Sequence, residues 1–259
     1  MKLYKAFAKV NIFLKITGTR GNYHEIISRF MKVDSLYDEL SFISKDTQEF
    51  KIIGDFSCTT EQNTIHKAYI ALLEVLNASN KESLQNLMKK YAIHVDKNIP
   101  AFAGLGGGSS DAATYLHMCN EVLHLGLSLN ELATVGLKVG ADVPFFIYGY
   151  NSANVAGIGE IVEEYKEDLL DFEVFTPKVE ISTPKVYNVY RECFFNPING
   201  FETDELKKTT SLVILASKSA DEANDLFKPA LQEYKELKKH YKHGYYFSGS
   251  GSSFFKIKD

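Results

Sequence analysis

Pro100-Ala101-Phe102-Ala103-Gly104-Leu105-Gly106-Gly107-Gly108-Ser109-Ser110-Asp111 is the most informative stretch of this 259-residue chain. Its four glycines leave the backbone free to take positive φ and keep Cβ atoms away from a close ligand. Successive N–H groups in such a loop converge into an anion-binding nest. A following helix adds unpaired N–H groups and the positive end of its dipole. Ser109 and Ser110 supply N-cap chemistry, and the spacing predicts a helix from there to about Leu123. The loop therefore reads as a holder of a phosphate chain. It is not a Walker A motif, because no Gly-Lys-Ser/Thr closes it. It is not a dinucleotide fingerprint either, since Ser109 stands where the third glycine belongs. A flexible linker or a plain helix N-terminus is the competing reading, but a linker would not be flanked by a predicted strand and an Ala-rich helix. Asp111 is the odd member, because a carboxylate repels phosphate. It either favours the helix N-terminus or sits near a bound cation.

Outward from the loop, Ala6 to Ile16 alternates strictly, which is a strand signature. Ala6, Ala8, Val10, Ile12, Leu14 and Ile16 share one face, and Phe7, Lys9, Asn11, Phe13 and Lys15 the other. Lys9 and Asn11 interrupt that second face, and a polar pair so placed is costly unless exposed or partnered. An edge strand facing water is the plain alternative. Further strands are expected at Glu39 to Ile43 and at Ile93 to Lys97. Helical spacing joins Ile65, Ala68, Tyr69, Leu72 and Leu76, then Leu84, Leu87, Met88 and Tyr91. Asn130 to Val139 reads as a helix stopped by Gly140. Pro229 suits the first position of a helix carrying Leu231, Tyr234, Leu237 and Tyr241. Strands and helices mix without a regular βαβα rhythm, so the class is α+β. A strand-like stretch ending at Val162 and the charged turn Glu163 to Asp168 place a boundary near residue 160.

Hydrophobic residues at 45% and charged residues at 24% are those of a soluble globular protein. A net charge of -4 argues against nucleic acid or an anionic membrane as the main partner, since both select a basic surface. The densest basic run, Lys235 to His243, contains Glu236 and reads as a solvated helix face. Cys58, Cys119 and Cys193 are too scattered for a disulfide framework or a metal site, and free thiols in a reducing cytoplasm are the simpler reading. Lys2, Lys5, Lys9 and Lys15 break every apolar run at the start of the chain, so no signal peptide is expected. A cytoplasmic protein, monomeric or weakly dimeric, is the expectation.

Other residues could carry chemistry. Gly140-Ala141-Asp142-Val143-Pro144-Phe145-Phe146 sets one carboxylate among small and apolar residues, where it needs a partner such as a lysine, or else caps the next turn. Tyr23-His24 follows the turn-like Thr19-Arg20-Gly21-Asn22. An aromatic beside an imidazole can stack a flat ring and hydrogen-bond its edge, though packing is the commoner role. Tyr187 reads by default as core. Ser248-Gly249-Ser250-Gly251-Ser252-Ser253 either approaches a ligand or makes a tight hairpin.

As an ordered set, these segments resemble the GHMP kinase superfamily. Ala8-Lys9-Val10-Asn11-Ile12-Phe13-Leu14, Tyr23-His24-Glu25-Ile26, Asp38-Glu39-Leu40, the triple-glycine loop, Gly140 to Phe146 and Gly157-Ile158-Gly159-Glu160 carry the resemblance, which runs from about Lys5 to Phe255. They are most similar to the branch acting on a cytidine-diphosphate-bearing methylerythritol in the non-mevalonate isoprenoid pathway. The resemblance implies a two-domain sandwich with its active site in the interdomain cleft. Residues 1–160 would bind ATP and carry the chemistry, and 161–259 would bind substrate. It implies transfer of the ATP γ-phosphoryl to the substrate's 2-hydroxyl, with Mg²⁺. Asp142 would orient or deprotonate that hydroxyl, and Lys9 would hold Asp142 and the reacting groups in register. Asn11 would contact the methylerythritol. Pro100, Gly104, Leu105, Gly106, Gly107, Gly108, Ser109 and Ser110 would hold the ATP phosphates, with Ser110 at the metal, and Lys97 and Asn63 would line the nucleotide site. Tyr23 and Tyr187 would sandwich the cytosine, with His24 reading its edge. A superfamily kinase acting on mevalonate, homoserine or a sugar is the rival reading, and a non-catalytic nucleotide-binding or nucleic-acid-binding module a more distant one.

Overall fold

The structure, a computed structural model, describes residues 2–258. Its first elements are β1 (Tyr4–Arg20), β2 (Tyr23–Ser44), β3 (Ile52–Ile53), α1 (Thr64–Val75), α2 (Ala78–Lys90) and β4 (Tyr91–Asp96). Then come α3 (Gly107–Val122), α4 (Leu129–Leu137), α5 (Val143–Tyr148), β5 (Ser152–Gly157), β6 (Ile161–Glu164) and β7 (Phe172–Phe175). The remainder includes α6 (Thr183–Val189), which a π-helical turn Tyr190–Phe194 continues, α7 (Gly200–Lys208), α8 (Ser211–Ser217), α9 (Ala220–Ala223), α10 (Phe227–Glu233), β8 (Tyr246–Phe247) and β9 (Phe254–Ile257). The mixture of helices and mainly antiparallel strands is the expected α+β class.

Contacts divide the chain into two compact units. The first comprises the segment up to Ala8, Leu36–Ile99 and Gly106–Gly149; the second comprises Lys9–Ser35, Pro100–Leu105 and the chain from Tyr150 on. A single cut near residue 160 therefore divides the chain differently from its compact units. The reason lies in the long strands: β1 has 17 residues and β2 has 22, and β1 runs unbroken from Ala8 into Lys9.

In the first unit the end of β2 pairs antiparallel with β4, Leu40 opposite Val95, and β4 pairs parallel with β3. The helical spacing read from the sequence does its work here. Ile65, Leu72, Leu84, Tyr115, Leu116, Leu132 and Val143 bury one face of each helix with Leu40, Ile93 and Val95. Asn63 caps α1, and Ser128 with Glu131 forms a capping box on α4.

In the second unit the start of β2 pairs antiparallel with β5, Ile27 opposite Ala156, and β5 pairs with β6. A separate sheet runs β7-β9-β8. Leu14, Ile16, Val186, Tyr190, Phe227, Phe247 and Phe254 form its core. Pro229 is the third residue of α10 and not the first. Asn224 Oδ1 accepts the Leu226 N–H at 2.9 Å, which turns the chain into the helix earlier. The basic run beyond it is a 3₁₀ turn, Lys235–Lys239, with Leu237 buried. Among the described residues no helix is long and apolar enough to cross a membrane.

Candidate functional site

The glycine loop leads into α3, but the helix opens at Gly107, ahead of the two serines. Its N-cap is Gly106, left-handed at φ 73°, with no side-chain cap. Ser109 and Ser110 lie inside the first turn, so their hydroxyls are not spent on capping. The glycines matter for contact as well as for φ. A Cβ on Gly107 would lie 2.8 Å from Ile99 Cγ2, and one on Gly108 would lie 3.2 Å from Thr64 Oγ1. Thr64 Oγ1 instead donates to Gly108 O at 2.6 Å. The outcome is a helix N-terminus that no side chain caps, which is chemistry for an anion.

Asp111, the unexplained acid of the loop, is 1% exposed and accepts from Lys97 Nζ at 2.8 Å through Oδ2. Lys97 Nζ also donates to Asp38 Oδ2. Burial pushes the Asp111 carboxyl up to about 7; the Lys97 ammonium opposes that rise and the second carboxylate, Asp38, adds to it. Lys97 is itself held above the ordinary lysine value, because its two carboxylates outweigh the burial that lowers it. Asp111 Oδ1 is buried without a hydrogen-bond partner. Thus Lys97, expected beside the nucleotide, is committed to two carboxylates.

Gly140 places the Asp142 segment at the same end of α3, since its Cβ position lies 3.7 Å from Ser109 Oγ. Asp142 is partly buried at the N-cap position of α5 and makes no capping hydrogen bond there. Capping, the plain alternative for Asp142, is therefore not its role. Asn63 is buried, and its side-chain oxygen is taken up by Ile65 N at 2.9 Å.

The second unit holds the other residues. Lys9 and Asn11 are 3% and 2% exposed, so β1 is no edge strand facing water. Lys9 Nζ donates to Asn11 Oδ1 at 2.5 Å and Gly104 O at 3.1 Å, and it stands 4.4 Å from the Phe30 ring centroid. Asn11 Nδ2 donates to Ser28 Oγ at 2.9 Å. Ser248 Oγ donates to Gly104 O at 2.9 Å and accepts the Asn11 N–H at 3.3 Å. Ser253 N donates to Ala103 O at 3.0 Å. The second glycine-serine segment is therefore a brace on the first. Pro100 and Phe102 are exposed, and Leu105 is buried.

His24 is buried and stacks on Tyr187, centroids 5.1 Å apart and planes at 28°. Tyr190 meets it edge-on at 5.7 Å and Phe195 lies at 6.5 Å. Burial, with the charge of Arg191, lowers the His24 pKa, so the ring is neutral near pH 7. His24 Nε2 is buried without a hydrogen-bond partner. Tyr23 is two-thirds exposed, and the ring facing Tyr187 is His24.

Sequence reasoning did not single out Asp38, Ser28, Thr64, Tyr190 or Phe195 for the site. Asp38 had a signal, since it is an acid at the head of an apolar strand segment. The others are ordinary residue types whose partners are distant in sequence.

Residues 63–150 match the GHMP kinases N terminal domain. The chain is 72% identical over 260 residues to the 4-diphosphocytidyl-2-C-methyl-D-erythritol kinase of Sulfurimonas denitrificans, covering 100% of this chain and 98% of that protein. It is 43% identical over 257 residues to the enzyme of the same name from a Sulfurovum species, with 98% of each covered. The crystal structure of a 4-(cytidine 5'-diphospho)-2C-methyl-D-erythritol kinase superimposes with a TM-score of 0.73 at 27% identity, over 100% of this chain and 90% of that one.

Proposed function

The chain belongs to the 4-diphosphocytidyl-2-C-methyl-D-erythritol kinases of the GHMP superfamily, and on that premise we propose how its own residues carry out the reaction. It phosphorylates the cytidyl-diphospho-methylerythritol substrate in the non-mevalonate pathway, with ATP as donor and the 2-hydroxyl as acceptor.

Phosphoryl transfer asks a protein mainly for positioning and for charge stabilisation. The observation that carries the reading is the uncapped N-terminus of α3 behind the glycine loop. Its N–H groups and those of Gly104 to Gly108 bind the ATP phosphates. Ser110, in the first turn, and the unpaired Asp111 Oδ1 beside it fit a hard cation, which takes oxygen ligands from one or two side chains and the rest from phosphate and water. Bound there, Mg²⁺ supplies shielding of the phosphate charge.

Asp142 orients the acceptor hydroxyl and accepts its hydrogen. Lys9, held on Asn11 Oδ1 and Gly104 O, supplies a fixed positive charge that stabilises the transferring group. Asn11 lies at the methylerythritol. The neutral His24, with Nε2 unpaired, reads the edge of the cytosine, and Tyr187 and Tyr23 supply ring faces. That aromatic group favours this substrate over mevalonate, homoserine or a sugar, none of which carries a base.

The test is ADP release by the purified protein with the cytidyl-diphospho substrate, against methylerythritol phosphate lacking cytidine. Turnover is expected with the first and a kcat/KM lower by about 10⁴-fold with the second, the scale on which a site built to hydrogen-bond its ligand rejects one lacking those groups. Equal turnover of the two would sink the assignment of His24 and the tyrosines.

A further inference from the structure

Asp38 is fully buried, yet the mechanism above does not use it. Its two oxygens serve three donors. Oδ1 accepts the backbone N–H of Asn98 at 2.6 Å and of Ile99 at 2.8 Å, and Oδ2 accepts Lys97 Nζ. A buried carboxylate is costly unless paired and fully hydrogen-bonded, and these donors meet that requirement.

What Asp38 holds is also specific. Lys97, Asn98 and Ile99 follow β4 and lead directly into the glycine loop. Lys97 reaches onward to Asp111 in α3, and Ile99 Cγ2 occupies the space that a Cβ on Gly107 would need. One carboxylate on β2 therefore fixes both contacts between the end of β4 and the first turns of α3. The pairing has an electrostatic consequence too. Asp111 is kept on Lys97, away from the N–H groups at the start of α3, where a loose carboxylate would compete with a phosphate.

We infer that Asp38 is a positioning residue for nucleotide binding: by holding Lys97, Asn98 and Ile99 together, it sets Lys97 on Asp111 and keeps the start of α3 open to the phosphates. This rests on the reading of that helix N-terminus as the ATP site. The action runs through Lys97, so Asp38 needs no contact with the nucleotide.

The experiment measures calorimetric binding of ADP with Mg²⁺, together with KM for ATP, kcat and Tm, for the wild type, Asp38→Asn, Lys97→Met and the double variant. The asparagine in Asp38→Asn keeps an acceptor for the two backbone N–H groups but presents no charge to Lys97. The expected result is ADP affinity about 10-fold weaker in Asp38→Asn, the size of one lost charge-assisted contact. A matching rise in KM for ATP should accompany it, with kcat at saturating ATP within about 2-fold. In the Lys97→Met background the Asp38→Asn change should add less than about 2-fold, because a residue acting through a partner loses its effect with that partner. A lowered Tm with unchanged ADP affinity, or full additivity with Lys97→Met, overturns the inference. ADP binding needs no acceptor substrate. A wild type that binds ADP but ignores the cytidyl compound therefore sinks the proposed function and leaves this inference standing.

Discussion

At the scale of single residues, Asp111 shows how burial converts a charge into a pH-dependent quantity. Its carboxyl is raised from 3.8 to about 7, first by loss of water, with Lys97 opposing and Asp38 assisting the rise. The folded state therefore binds this proton more tightly than the unfolded state. Its contribution to stability is fully present below the unfolded pKa and is lost as pH climbs through the folded one. Asparagine at this position mimics the protonated form and cannot titrate. Between about pH 4 and about pH 7, the wild type should lose stability steadily relative to Asp111→Asn, and the difference should level off by about pH 8. Urea midpoints of the two proteins across that range measure it, and the difference cancels the groups they share. Parallel curves would mean that the ion pair with Lys97 keeps Asp111 charged throughout.

At the scale of elements, the two glycine-serine segments meet backbone to backbone, and Gly104 is where a side chain has no room. Its φ is 73°, and a Cβ there would sit 2.1 Å from Ser248 O. Gly126 provides a control, with φ 69° and nothing within 4 Å of its Cβ position. Gly126→Ala should cost only the left-handed conformation, about 1 kcal/mol. Gly104→Ala adds the clash and should cost about 3 kcal/mol or more, with turnover falling because Gly104 O is also an acceptor for Lys9. Equal losses in the two proteins would show that the close approach to Ser248 is not maintained in solution. This contact also marks the limit of what the sequence discloses. Alternation in β1, the helical spacing of α1 and the glycine loop were legible because each is a local pattern with a fixed period or composition. The brace from Ser248, Ser28 on Asn11 and Asp38 on Lys97 join residues 17 to 237 positions apart, and no local period encodes such partners. The start of α3 was misplaced by two residues for a related reason. Serine chemistry favours a cap, but the glycines permit a tighter contact with Ile99 and Thr64 that begins the helix earlier.

At the scale of the whole molecule, the question is whether residues up to 160 can stand alone. The threading of the chain argues that they cannot. Lys9–Ser35 and Pro100–Leu105 belong to a compact unit whose remaining residues begin at Tyr150. Leu14 O accepts the Asp225 N–H at 2.9 Å, and the Ile16 N–H donates to Asp225 Oδ2 at 2.8 Å. Leu14 and Ile16 are buried in a core with Phe227, Phe247 and Phe254. A fragment ending at residue 160 keeps that half of β1 and removes what covers it, leaving buried apolar side chains and backbone groups without partners. The boundary near residue 160 rests on the charged turn Glu163 to Asp168, but Glu167 of that turn pairs with the buried Arg29, and a charged turn need not separate folding units. The full chain should unfold in urea in a single transition, since β1 and β2 contribute to both units. The 1–160 fragment should show no cooperative transition by circular dichroism and should bind a hydrophobic dye strongly. A fragment with a sharp transition and weak dye binding would instead establish residues 1–160 as an independent domain. In that case the long strands, and not the packing of Leu14 and Ile16, would be the main source of order in β1.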